Sequence, residues 1–123
     1  MQRFVDVTDE AQEAGFCCRV LMTEEVWQLC CLWTEKDNAR QGYQEQDARV
    51  WDVLFVPAMK LKMGVADGNT ESELMGSGGL TYQIYCVLRG EGEDATLMTL
   101  RVFPSTFNGE ERGLIISFPY ESL

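Results

Sequence analysis

Residues 80–118 read LTYQIYCVLRGEGEDATLMTLRVFPSTFNGEERGLIISF. Leu80, Tyr82, Ile84, Cys86 and Leu88 alternate with Thr81, Gln83, Tyr85, Val87 and Arg89, the period of a strand with one buried face. The run EGED (91–94) turns the chain, Leu97–Phe103 supplies a second run, and Asn108-Gly109 is a hairpin signal before a third run, Leu114–Phe118. The pattern predicts a three-stranded antiparallel meander.

Upstream the period changes. Val50, Trp51, Leu54, Ala58 and Leu61 recur at helical spacing from Gln44 onward, interrupted by Pro57. A proline inside a helix removes a backbone donor and clashes one turn back, so a kink or an end is expected near Val56. Thr23 reads as an N-cap with Glu24 and Glu25 in the first turn, opening a helix to about Trp33. Thr8 reads likewise, for a short helix closed by Gly15. Val5–Val7 reads as a short strand, and FCCRVLM (16–22) as a buried strand or an extended link. Residues 64–79, GVADGNTESELMGSGG, read as a flexible loop, with Gly64 stopping the preceding helix. The expected architecture is α+β in a single domain spanning 1–123, with N-terminal helices packed on a C-terminal three-stranded antiparallel meander sheet.

Composition narrows the chemistry. The 123 residues carry 10 basic and 20 acidic side chains, a net charge of −10, and no histidine. Phosphate-backbone binding rests on Lys and Arg, so direct nucleic-acid binding is not expected, and a protein with a basic surface is the natural counterpart. Solubility alone would also account for the charge. Without His the usual general base and the commonest metal ligand are missing. The five cysteines, at 17, 18, 30, 31 and 86, contain no C-x-x-C and read as buried small hydrophobes in a reducing compartment. No metal and no cofactor are expected. No apolar run reaches membrane-spanning length and no signal peptide is read, which makes the cytoplasm the default location.

The runs VDVTDEAQEAGF, LMTEEVW and WTEKDNARQGYQEQDARVWDVL, at 5–16, 21–27 and 33–54, resemble a family of small proteins carried on plasmids, conjugative elements and phages, known as a domain of unknown function. Members carry a further segment rich in Tyr, Thr and Arg ahead of the Val-Asp-Val stretch. They also carry an uninterrupted helix after Trp51-Asp52, where this chain has Pro57. The resemblance implies a mobile-element setting and no particular activity.

Within residues 33–54, Asp37 and Arg40, then Arg40 and Gln44, are spaced to share a helical face. The group reads as an ion-pair and amide network that sets how two helices meet. It could instead present a partner surface, with Trp33 at a helix end beside Asp37 and Arg40. A third reading, a small carboxylate-dependent enzyme using Asp37, Asp47 or Asp52, needs a shared cleft and a raised pKa that sequence does not display. Trp27, Trp33 and Trp51 read as core, Trp33 being the one suspected of exposure. Glu91, Glu93 and Asp94 in one turn, and Glu110 and Glu111 in another, read as solvated turns or as a spaced carboxylate array that imitates a phosphate track. The resulting expectation is a non-enzymatic acidic inhibitor of a nucleic-acid-binding host-defence protein, of the anti-CRISPR or anti-restriction type, acting against a CRISPR or restriction nuclease. A structural role, for instance as a homodimer, is the further alternative.

Overall fold

A computed structural model describes residues 2–123. Its strands are β1 (Phe4–Asp6), β2 (Arg19–Thr23), β3 (Leu80–Val87), β4 (Ala95–Phe107) and β5 (Glu111–Ser117). Its helices are α1 (Thr8–Ala14), α2 (Glu24–Val26, continued by a π-helical turn, Trp27–Cys31), α3 (Glu35–Gln41), α4 (Gln46–Ala66) and α5 (Glu71–Met75).

The expected three-stranded meander is corrected. β3, β4 and β5 are antiparallel neighbours, but they belong to a five-stranded mixed sheet of order β1-β2-β5-β4-β3. β2 joins β5 in parallel, Val20 opposite Leu114 and Met22 opposite Ile116. β1 adds to β2 antiparallel. The link reading of FCCRVLM therefore gives way to the strand reading over Arg19–Thr23. A parallel pair needs a long crossover, and everything between β2 and β5 supplies it. The crossover helices cover one face, where Val20, Met22, Tyr82, Leu100, Val102, Ile116 and Phe118 form the core with Val53 and Leu54 of α4.

Local chemistry explains the element ends. Thr23 caps α2 as expected, its hydroxyl accepting from Val26 N at 3.3 Å. At α1 the cap is displaced: Asp6, not Thr8, supplies the acceptor, taking Thr8 N at 2.9 Å and Thr8 Oγ1 at 2.6 Å. Asn108 and Gly109 both have positive φ, 53° and 82°, as the central pair of a turn that Glu110 N closes on Phe107 O at 3.2 Å, within a three-residue loop between Phe107 and Glu111. Residues 64–79 are not wholly a loop, since α4 runs through Gly64 and α5 follows under a Thr70–Glu73 capping box. Gly64 stops nothing. A Cβ there would stand 2.5 Å from the Leu74 side chain, so glycine is what lets α5 close on α4.

Pro57 does not end α4 either. A proline at 57 leaves the carbonyl of Val53 without its helical donor. The phenol of Tyr82, fully buried on β3, donates to that carbonyl at 3.0 Å. The defect in the helix and the polar tip of a core tyrosine satisfy each other. Removing the hydroxyl with Tyr82→Phe should cost about 1–3 kcal/mol in urea unfolding, because a buried carbonyl is orphaned. In a Pro57→Ala background, where position 57 regains a backbone N–H to serve Val53, the same change should cost less than about 1 kcal/mol.

Candidate partner surface

Arg49, on the first turns of α4, organises one end of the molecule. It is 5% exposed. Its Nε donates to Cys31 O at 3.1 Å, Nη2 to Leu29 O at 3.0 Å, and Nη1 to Val87 O at 2.8 Å and Gln44 Oε1 at 3.0 Å. Leu29 and Cys31 lie in the π-helical turn, whose carbonyls the guanidinium caps. The Trp33 ring stacks on Arg49, 4.4 Å from centroid to Cζ. Burial pushes the guanidinium pKa down, yet arginine remains charged.

A second knot adjoins it. Thr34 and Asp37 form a capping box at α3: Thr34 N donates to Asp37 Oδ2 at 2.7 Å and Asp37 N to Thr34 Oγ1 at 3.3 Å. Arg89, just past β3, donates to Asp37 Oδ2 at 2.8 Å, and Arg40 to Oδ1 at 2.5 Å. Desolvation pushes the Asp37 pKa up, but the bonds from Arg89, Thr34 and Arg40 outweigh it and hold the carboxyl well below its usual range. Gln41 completes the arrangement. Its amide nitrogen donates to Leu88 O at 3.1 Å and to Gly92 O, while its oxygen accepts from Gly90 N at 2.6 Å. Three bonds thus pin the acidic 88–94 turn to α3.

The residues singled out from sequence separate accordingly. Trp33 (6% exposed) and Asp37 (0%) are inside, engaged in internal bonds and closed to a partner. Arg40 is exposed and paired with Asp37. Glu91, Glu93 and Asp94 are exposed on the pinned turn. Glu110 and Glu111 lie at the other end of β4, whose 13 residues span about 40 Å. Glu111 pairs with Arg19 at 3.2 Å, and Arg19 also meets Asp6 at 3.4 Å. Among the described residues, only Asp6, Asp37 and Glu111 of the 20 acidic side chains sit in ion pairs. Asp47 is exposed, and Asp52 is a surface group whose pKa burial raises and Arg49 lowers, the rise prevailing. Among the described residues no group of three or more His, Cys, Asp or Glu is placed to hold a metal. Nor is any helix there long and apolar enough to cross a membrane.

One patch was not anticipated. Trp51, expected in the core, is 40% exposed and stacks on Phe55 with centroids 5.4 Å apart. Phe55, Tyr85, Leu97 and Asp52 line one shallow depression of about 620 Å³ beside β3. The sequence held a signal for it. Six of the seven residues from Val50 to Val56 are apolar, more than a single buried stripe of helix accommodates. Comparison with family models, curated proteins and solved structures finds no match to this chain.

Two measurements test the knots. Arg49→Lys keeps the charge but not the planar fork, and should lose on the order of 3 kcal/mol in chemical denaturation. Asp37, with its folded pKa depressed, contributes stability that is complete above its unfolded pKa of about 3.9 and is lost as pH falls through the lower folded value. Acid titration of Tm below about pH 4 should therefore be steeper for the native chain than for Asp37→Asn.

Proposed function

We propose that this chain is a non-enzymatic binding protein of a mobile genetic element. In this reading it inhibits a nucleic-acid-binding host-defence protein, of the anti-CRISPR or anti-restriction type, by covering that protein's basic surface. The observation that carries the reading is the Glu91–Asp94 turn. Its carboxylates are exposed, outside any ion pair among the described residues, and held in place by Gln41. Anionic groups fixed in advance lose little freedom on meeting a cationic partner, and their field speeds encounter. Glu110 extends the array to the far end of β4. The likeness of residues 5–54 to mobile-element proteins supplies the setting. The carboxylate-enzyme reading has less support, because Asp37 is committed to four internal donor bonds and Asp52 stands on the surface.

Pull-down from host lysate tests this directly. A basic nuclease should be captured at about 0.05 M salt and released by about 0.5 M, where charges are screened within a few ångströms. The captured nuclease should lose its nucleic acid when the chain is added. Gln41→Ala leaves net charge unchanged but frees the turn, and should weaken capture several-fold. Capture indifferent to salt, or a partner that keeps its nucleic acid, would count against the proposal.

A further inference from the structure

The two edges of the sheet are built differently. β1 is three residues long and ends on Asp6, which is paired with Arg19. β3 presents eight residues, LTYQIYCV, with no charge and no proline. Exposed strand edges are ordinarily blunted by shortness, charge or proline, and β3 has none of these. Its upper end is occupied, because Val87 O accepts from Arg49, Leu88 O from Gln41, and Arg89 N donates to Leu29 O. Below it, among the described residues, no hydrogen bond outside the β3–β4 ladder reaches the backbone of residues 80–86. Half of those backbone groups point away from β4, free for another strand.

The surroundings of this edge are also unlike the rest of the surface. Phe55, Tyr85 and Leu97, with Trp51 stacked on Phe55, are four of the ten large apolar side chains that stand exposed among the described residues. α4 runs beside the strand, with Asp52 next to Tyr85 at one end and Lys60 next to Thr81 at the other. Neither Asp52 nor Lys60 has an ion-pair partner among the described residues.

We propose that this edge is a self-association surface: a second copy of the chain adds its own β3 antiparallel, about a twofold axis at Gln83, with Asp52 of each copy meeting Lys60 of the other. An isologous contact must be self-complementary, and this one is. Rotation about Gln83 sets Tyr85 against Thr81 of the partner, so the lone carboxylate and the lone ammonium fall together twice. The same rotation lays Val87–Gly90 beside the partner's residues 76–79, Gly-Ser-Gly-Gly, which carry no charge. The acidic turns of the two copies, whose repulsion would otherwise oppose association at net −10 each, are kept at opposite ends. The exposed stripe of α4 is covered as the helices approach.

Sedimentation velocity across a concentration series tests this. The native chain should dimerise reversibly. Gln83→Lys places like charges face to face on the axis and should weaken the dimer about tenfold or more. Asp52→Lys and Lys60→Asp should each weaken it comparably, and the double exchange should restore it. All three positions are exposed, and circular dichroism will show each variant folded. Hydrogen exchange at residues 80–86 should slow with protein concentration. A native chain that stays monomeric throughout, or a dimer indifferent to Gln83→Lys, overturns the proposal. So does a double exchange that fails to restore association, because the twofold register would then be wrong.

Discussion

A single buried guanidinium holds the crossover of this fold to its sheet. Among the described residues Arg49 has no carboxylate partner. Its charge is met by three carbonyls, an amide and an indole face. Those carbonyls come from the π-helical turn and from the end of β3, so the side chain ties α4 to the segment before it and to a strand almost forty residues after it. A buried cation satisfied by dipoles demands geometry, since any displaced partner leaves charge uncompensated in a medium of low polarity. That demand sets the rotation of α4 about its axis. Trp33 is drawn under the guanidinium and buried, while Trp51, two positions beyond Arg49, is turned outward.

Two further constraints follow from the same placement. With α4 rotated so, Val53 faces Tyr82, and the carbonyl that Pro57 cannot serve finds the phenol. The helix can then run unbroken over the sheet to Ala66. At the other end, Asp37 and Gln41 of α3 are set against Arg89 and the 88–94 turn. A turn that would otherwise be a solvated connector becomes a fixed platform for three carboxylates. The proposed inhibitory surface and the structural network are thus one arrangement seen from two sides. Its buried members hold, and its exposed members present.

The free edge of β3 belongs to a different logic. β5 sits inside the sheet because β2 pairs with it in parallel, and β1 closes the far side with a short, charged strand. The longer open edge is left on β3, on the side where α4 exposes its aromatic pair. Acidic turns at the ends of the strands and an uncharged edge between them would separate the proposed electrostatic recognition from the proposed strand pairing. The two proposals do not draw on the same residues.

Much of this was legible in the residues. The alternation in 80–118, the Asn108-Gly109 turn and the Thr23 cap are local signals, and strands and ends formed where they lie. The capping box Thr34-x-x-Asp37 was equally local, and it adds a helix cap to the ion-pair network in which Asp37 was read. The parallel β2–β5 pair left no mark, since partners more than ninety residues apart impose no period on either segment. Burial of Arg49 and passage of α4 through Pro57 were equally hidden, and the apolar excess of 50–56 marked an exposed patch without saying that Trp51, in place of Trp33, would stand in it. Each depends on a partner supplied from elsewhere in the chain: carbonyls of the π-turn and β3 for Arg49 and the two tryptophans, a phenol on β3 for the passage through Pro57. Sequence by itself determined the strand alternation of 80–118, the helical stripe that opens α4 and how strongly acidic the chain would be, because backbone propensity and charge reside in the residues themselves. Tertiary structure alone decided which side chains face inward and which strand edge stays open, because those are set by hydrogen bonds that exist only once distant segments meet.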